Sequence, residues 1–162
     1  MTTAGGRLVG IAGRVARRAP MQERAEGRIT VAAGLDGDFK GAKYPRRQIT
    51  VLAREAWEAA LHEIGHDTLP WTARRANLLT EGVRLPRAAG GIVRIGQVLL
   101  EVTGQTYPCQ RMEEACAGLL SALAKDWRGG VTARVIEGGL VAQGDLVEVL
   151  VDPPEIRPRL PG

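Results

Sequence analysis

Cys109 is the residue of this sequence best suited to covalent or metal chemistry. It ends residues 103–109 (TGQTYPC), which leave a predicted strand and lead into a predicted helix. Positive partial charge at a helix start, with Arg111 two residues on, is expected to favour the thiolate form of this side chain. A thiolate attacks electrophiles and binds soft metal ions, so we predict a functional thiol here. The alternative, a buried structural cysteine, stays open at this stage.

The other cysteine, Cys116, is predicted to pack in the interior. It lies in the middle of the predicted helix, among small and apolar residues such as Ala115, Ala117 and Leu119. Its C-x6-C spacing from Cys109 is not one that zinc pairs usually have. A buried cysteine behaves as a small apolar side chain, so packing is its expected role.

Basic and amide side chains predict an anion-binding site. The basic residues are two adjacent pairs and two lysines, namely Arg46, Arg47, Arg74, Arg75, Lys40 and Lys43. Guanidinium groups bind phosphate through paired hydrogen bonds. Asn77 follows Arg75 just before a predicted strand and adds amide donors and an acceptor. Basic residues that face only solvent are the alternative.

Residues 62–66 (HEIGH) match the H-E-x-x-H pattern of zinc proteases. That chemistry needs both histidines on one face of a continuing helix, with the glutamate as general base. Gly65 is a typical helix stop, so we expect His66 to lie past the last turn and not to face His62. Only Glu81, on a predicted strand, offers a third ligand. A zinc hydrolase acting through the two histidines is therefore a lesser alternative.

Length and composition favour one domain in the cytoplasm. The chain has 162 residues, and we place a single domain at residues 1–151. No apolar run approaches the roughly 20 residues of a membrane span, and the N-terminus lacks the features of a signal peptide. Two cysteines do not suggest a disulfide framework.

The charge distribution favours an anionic small ligand. Residues 1–50 carry ten Lys and Arg against four Asp and Glu, whereas residues 51–162 carry twelve against fourteen. A positive field suits phosphate or nucleic acid. Single-strand binders usually provide aromatic stacking platforms, and the aromatic content here is 4%. We therefore expect no nucleic acid and no membrane among the partners.

The hydrophobic pattern predicts eight strands and two helices. The strands cover residues 7–15, 28–33, 47–52, 77–83, 91–95, 98–103, 131–136 and 146–151, and the helices cover residues 54–64 and 112–125. Together they predict a mainly β protein with two or three helices, folded as a closed or nearly closed antiparallel β-barrel. Residues 152–162 contain four prolines and are predicted to form an extended or disordered tail.

The order of these segments resembles the MOSC domain family, named after the C-terminal domain of molybdenum cofactor sulfurase, as a small stand-alone member of bacterial type. The segments that carry the resemblance are GD at 37–38, RQITVL at 47–52, RANL at 75–78, IGQVLLEVTG at 95–104, PCQRM at 108–112, RGGV at 128–131, GG at 138–139 and GD at 144–145. The strand that leads to Pro108-Cys109 is the most specific part, because the family's single characteristic cysteine has this context.

The resemblance implies a barrel of the pyruvate-kinase-barrel-like type and a role in binding molybdenum cofactor or carrying sulfur. In relatives that reduce amidoximes and N-hydroxylated bases, the cysteine ligates molybdenum, and the pterin phosphate lies among basic and amide side chains. Transferred to this chain, Cys109 is the expected catalytic residue and metal ligand. The expected cofactor-binding residues are Arg47, Arg75, Asn77, Arg111, Asp38 and Lys40.

Two functions from different classes follow from this resemblance. The first is a molybdenum oxidoreductase component that acts on N-hydroxylated substrates and receives electrons from a separate protein. The second is a sulfur carrier, in which a Cys109 persulfide is loaded by a sulfur-donor protein. Pyridoxal phosphate is attached to the family by kinship with the larger sulfurases, but that cofactor normally needs a Schiff-base lysine in its own fold, and the sequence shows none.

Overall fold

A closed β-barrel forms the body of the protein. The computed structural model describes residues 5–66 and 68–156, and eleven strands lie in this part of the chain. Their bounds are Gly6–Gly13 (β1), Gln22–Arg24 (β2), Glu26–Thr30 (β3), Gly34–Leu35 (β4), Ile49–Ala53 (β5), Leu78–Glu81 (β6), Ile92–Ile95 (β7), Val98–Gln105 (β8), Val131–Glu137 (β9), Gly139–Ala142 (β10) and Leu146–Val151 (β11). Seven strands close the barrel in the order β11, β7, β8, β9, β5, β6 and β1, because β1 pairs with both β6 and β11. The prediction of a closed barrel is confirmed.

The barrel sheet is mixed, so the prediction that it is antiparallel is wrong for one pair of strands. β5 and β6 are parallel, with Val51 opposite Leu78, whereas the other barrel pairs are antiparallel. Parallel neighbours need a crossover connection. Helix α1 (Arg54–Glu63) and a 3-10 helix (Trp71–Arg74) make this crossover between the end of β5 and the start of β6. The 3-10 helix ends at Arg74 with Arg75 as its C-cap, so both arginines of this pair lie beside the barrel, just before β6.

Two apolar layers hold these elements together. Successive residues of a strand point to opposite faces, so Val51 packs inside the barrel while Leu52 packs outside it. The outer layer lies between the barrel and the helices, and it includes Trp57, Met112 and Leu119. Burying one side chain of this kind contributes roughly 1.5–3 kcal/mol. The outer layer therefore fixes the helices against the barrel wall.

The second predicted helix is wrong as one continuous element, because it is two short helices, α2 (Gln110–Ala115) and α3 (Leu119–Ala124). Cys116 has extended backbone after α2, and Gly118 has a φ of 89° that favours glycine. The carboxylate of Glu113 then accepts hydrogen bonds from the N–H groups of Gly118 (2.8 Å) and Leu120 (3.3 Å). These two N–H groups at the start of α3 are thereby satisfied by a side chain of α2.

All eight predicted strands are present, with ends shifted by a few residues. The strands β2, β4 and β10 were not predicted, because they are short and two of them lie beside glycine turns. β10, β3 and β4 form a separate three-stranded sheet. No helix of the described residues is long and apolar enough to cross a membrane.

The described part of the predicted tail, residues 152–156, is hydrogen-bonded to the barrel domain. The N–H of Ile156 donates to the carbonyl of Arg87, and Nε1 of Trp127 donates to the carbonyl of Ile156 at 2.8 Å. Glu155 forms ion pairs with Arg84 and Arg87. The rest of the predicted tail and the N-terminal residues 1–4 lie outside the described residues.

Candidate functional site

A cavity of about 410 Å³ contains Cys109 and a group of cationic side chains. It lies where the end of β1, the loop before β5, the end of the crossover and the start of α2 meet. Its lining holds seven cations, namely Arg14, Arg17, Lys40, Arg47, Arg74, Arg75 and Arg111, and no carboxylate among the described lining residues. We refer to it as the cationic cavity. Cations of one sign gathered in a concave site attract anions and raise their local concentration.

Cys109 is exposed and occupies the N-cap position of α2. Its carbonyl accepts the hydrogen bond from the N–H of Met112 at 2.8 Å, which starts the helix. The predicted helix start after Cys109 is therefore confirmed. Cys116 is half-buried and packs against the outer apolar layer, as predicted, although it lies at the end of α2 and not in mid-helix.

Arg74 positions the segment that carries Cys109. Its side chain is 6% exposed, and Nε donates to the carbonyl of Gly129 at 3.1 Å. Nη2 lies 3.3 Å from the carbonyl oxygens of both Thr106 and Tyr107. Burial lowers the pKa of Arg74 to about 10, and the charge of Cys109 opposes that shift. The sequence prediction had singled out the Arg74-Arg75 pair but did not include Arg74 among the site residues.

Arg75, like Arg74, is a cation on which the charge of Cys109 acts. Arg75 has a φ of 65°, in the left-handed region, and caps the 3-10 helix through its N–H to the carbonyl of Thr72. Burial and then the charge of Arg111 lower the pKa of Arg75, while the charge of Cys109 raises it. The structure thus brings together five of the predicted site residues in one cavity, namely Cys109, Arg75, Arg111, Arg47 and Lys40.

Lys40 also lines the cationic cavity, whereas Asp38 does not. Burial lowers the pKa of Lys40 to about 8, with the charge of Asp38 acting in the opposite direction. Asp38 is itself buried, and its Oδ1 accepts a hydrogen bond from the backbone N–H of Arg14 at 3.1 Å. Its place in the structure is therefore that of a neighbouring counter-charge. Arg14 and Arg17, at and beyond the end of β1, line the cavity and were missed by the sequence analysis.

Asn77 does not reach the cationic cavity. Its side chain is fully buried, and its Oδ1 accepts hydrogen bonds from the backbone N–H (3.0 Å) and the hydroxyl (3.2 Å) of Thr50. Its Nδ2 donates to the carbonyl of Ala12 at 3.2 Å. These bonds join β5 and β1 at the place where Thr50 lines the cavity. Asn77 therefore shapes the wall behind the predicted anion site instead of offering its amide to a ligand.

The HEIGH segment lies at the end of α1, and its backbone matches the expected helix stop. Gly65 has a φ of 69°, its N–H donates to the carbonyl of His62, and the N–H of His66 donates to the carbonyl of Leu61. This pattern is a Schellman cap, which ends the helix before His66. Among residues 5–66 and 68–156, no group of three His, Cys, Asp or Glu side chains is placed to hold a metal ion. We predict that both imidazoles are dispensable, and the zinc hydrolase stays a lesser alternative.

The cationic cavity fits a phosphorylated ligand that brings its own metal. Two buried donors beside it, Nη1 of Arg14 and Oγ1 of Thr106, have no hydrogen-bond partner in the described structure. Such donors have a free-energy cost unless a ligand or water accepts their hydrogen bonds. Cys109 can offer one soft thiolate ligand, so any further metal ligands would come from the cofactor itself.

Comparison with known proteins gives one family and a set of similar folds. The model of the MOSC domain matches residues 36–148. The YuaD protein from Bacillus subtilis superposes with a TM-score of 0.75 at 18% identity, covering 92% of this chain and 98% of that one. YiiM from Escherichia coli superposes with a TM-score of 0.69 at 19% identity, covering 93% of this chain and 73% of that one. At these identities the structural matches show the fold. A search of curated protein sequences gave no significant match.

Proposed function

Because this chain belongs to the MOSC domain family, which is associated with molybdenum cofactor binding, we propose that it binds molybdenum cofactor with Cys109 as the metal ligand. We further propose that the loaded protein is an oxidoreductase component that acts on N-hydroxylated substrates. We propose a separate protein as the source of its electrons.

The observation that carries this proposal is the placement of an exposed thiol in a cavity lined by seven cations and no described carboxylate. A phosphate-bearing ligand would neutralise these charges, and each charge-assisted hydrogen bond contributes roughly 1.5–3 kcal/mol. A thiol without cations nearby would not select such a ligand. Cations without a soft donor would not hold a thiophilic metal.

Each residue of the site has a distinct part in this proposal. Cys109 offers its thiolate to the metal, while Arg75 and Arg111 bind phosphate beside it. Arg74 is a positioning residue, because its guanidinium holds the carbonyls of Thr106 and Tyr107, just before Cys109. When bound, the cofactor supplies the redox-active metal. The cavity supplies its orientation and balances its negative charge.

The second candidate, a sulfur carrier, is favoured by the exposure of Cys109, which lines the cationic cavity. In this reaction the Cys109 thiolate attacks the outer sulfur of a donor persulfide, the donor thiolate leaves, and Cys109 becomes a persulfide. An acceptor thiolate then takes that sulfur and regenerates the Cys109 thiolate. The anionic persulfide would be stabilised by the same arginines. No observation favours pyridoxal phosphate over these two.

One experiment separates the two candidates. The parent protein is produced in cells that can make molybdenum cofactor and in cells that cannot, and then assayed for molybdenum, oxidised-pterin fluorescence and cyanide-labile sulfur. We expect close to one molybdenum and one pterin per chain in the first case only. Cys109→Ser should lose the molybdenum, because serine lacks the soft ligand, and Cys116→Ser is the matched control that should keep it. Labile sulfur without metal would favour the sulfur carrier, and full molybdenum loading of Cys109→Ser would contradict the metal-ligand role.

A further inference from the structure

A second cavity, of about 580 Å³, adjoins the cationic cavity and extends it away from Cys109. The two share the residues Arg14, Arg17, Lys40, Arg47, Thr50 and Thr106. The second cavity also reaches Phe39, Lys43, Tyr44 and Tyr107. The recess in which Cys109 lies is therefore long, with the thiol in one half and aromatic rings in the other. We call this second half the aromatic cavity.

The aromatic cavity gathers all the phenylalanine and tyrosine of the chain. The sequence contains one Phe and two Tyr, and all three line this cavity. Tyr44 is 37% exposed and Tyr107 is 44% exposed. Rings left accessible beside a binding cavity provide surfaces on which a planar ligand stacks. In a chain otherwise poor in these residues, this placement points to a ligand that contains a planar ring.

Cations lie over two of the three rings, and Tyr44 has two of them, Arg47 and Lys43. The guanidinium carbon of Arg14 lies 4.9 Å from the centroid of Phe39, and that of Arg47 lies 4.9 Å from the centroid of Tyr44. A planar base can stack on a guanidinium plane as well as on an aromatic ring. The same cations can bind a phosphate at the edge of the stack. The aromatic cavity thus combines the two features that a nucleotide needs.

The two buried donors without a described partner, Nη1 of Arg14 and Oγ1 of Thr106, belong to residues that line both cavities. They mark the junction between the thiol half and the aromatic half. An anionic group at this junction would accept their hydrogen bonds and be neutralised by Lys40, a half-buried cation that also lines both halves.

We propose that the aromatic cavity is a nucleotide subsite, which binds the base and the diphosphate of an extended ligand whose other end reaches Cys109. This inference rests on the proposed function in one respect: the proposed function identifies the part of the ligand that reaches Cys109. It makes the ligand of this chain a nucleotide-extended anion rather than a short phosphorylated one.

Isothermal titration calorimetry with ADP and with inorganic pyrophosphate tests this inference, on full-length protein from cells that cannot make molybdenum cofactor. We expect ADP to bind at least about tenfold more tightly than pyrophosphate, because only ADP has a base to stack. Tyr44→Leu should weaken ADP binding about tenfold and leave pyrophosphate binding unchanged. Tyr44→Phe, which keeps an aromatic ring, should bind ADP as tightly as the parent does. The exposed Arg28, which lines neither cavity, provides the control variant Arg28→Gln, with unchanged affinity for both.

Equal affinities for ADP and pyrophosphate would overturn the nucleotide subsite, and so would a Tyr44→Leu variant that loses both ligands equally while remaining folded by circular dichroism. This failure is distinct from failure of the proposed function, which is judged by molybdenum and pterin content. Protein that loads with cofactor but does not prefer ADP would keep the proposed function and remove the subsite. Protein that prefers ADP but never loads would do the reverse.

Discussion

The two sides of the six-residue helix α2 are held by opposite kinds of interaction. On the side of Cys109, seven cations line a cavity with no described carboxylate to balance them. On the other side, Met112 packs with Trp57 and Leu119 in the outer apolar layer, although Met112 also lines the cavity. Like charges held together lower stability, whereas apolar burial raises it. The comparison indicates that the cavity is kept ready for an anion by a stable layer directly behind it.

The largest expected effect is a loss of stability when the outer apolar layer behind α2 is disrupted. Leu119→Ala removes a fully buried side chain and should lower the free energy of unfolding by about 2–5 kcal/mol, as lost burial and a residual cavity add together. Urea denaturation followed by circular dichroism measures it. Leu140→Ala, at a leucine that is 53% exposed, is the control and should change stability by less than about 0.5 kcal/mol. Equal losses in the two variants would show that the layer does not carry the stability of this region.

The next largest effect should be a loss of anion affinity when a cation of the cationic cavity is removed. Arg75→Gln removes one charge-assisted contact and should weaken binding of inorganic phosphate by about 1.5–3 kcal/mol, roughly 10- to 150-fold. Its unfolding free energy should stay the same or rise slightly, because one of the unbalanced cations is gone. Calorimetry gives the affinity and urea denaturation gives the stability. A variant that binds as tightly as the parent would remove Arg75 from the site.

Arg74 is buried beside the cationic cavity and holds the segment before Cys109. Its removal should therefore lower the free energy of unfolding and loosen that segment. Arg74→Met takes away the donor to the carbonyls of Gly129, Thr106 and Tyr107. Relief of the buried charge acts in the other direction, and we expect a net loss of about 1–2 kcal/mol of unfolding free energy. Hydrogen exchange at residues 106–112 should also become faster. Exchange as slow as in the parent would show that Arg74 does not position the Cys109 segment.

The barrel could be predicted from the sequence because strand alternation reports burial one residue at a time. The alternation of Val51 and Leu52 between two apolar layers is of this kind. Strand alternation does not report the direction of β6 relative to β5, but the helix predicted between these two strands was the available signal for a parallel pair. The division of one predicted helix into α2 and α3 depends on the bonds from Glu113 and on the backbone at Gly118, which no periodicity reports.

The sequence predicted which types of residue line the candidate site, but not which individual residues do so. Cys109, Arg75 and Arg111 followed from local context, whereas Arg14 joins them because the antiparallel pairing of β1 with β6 brings the end of β1 beside the end of the crossover. Asn77 shows the opposite case. An amide that bonds the backbone of a neighbouring strand and an amide that bonds a ligand look the same in a sequence.

The smallest expected effect is a pH dependence of anion affinity, which arises because Lys40 loses its charge between pH 7 and pH 9. Burial lowers its pKa to about 8, opposed by Asp38 and assisted by Arg14, Arg74 and Arg47. The ammonium form is therefore present below pH 8 and is lost as the pH rises through it. Only this form attracts an anion, so sulfate, whose own charge is constant here, should bind about tenfold more weakly at pH 9 than at pH 7.

The measurement is best made by calorimetry in the Cys109→Ser background, so that the thiol takes no part in it. Lys40→Arg keeps its charge across this range and should make sulfate affinity nearly independent of pH.

The free energy of unfolding should rise with pH over the range in which sulfate affinity falls. Because the pKa is lower in the folded state than in the unfolded state, the unfolded chain binds more protons above pH 8, and the parent should gain stability from pH 8 to pH 9 relative to Lys40→Met. If sulfate affinity falls equally in the parent and in Lys40→Arg, another group controls the pH dependence of the cationic cavity.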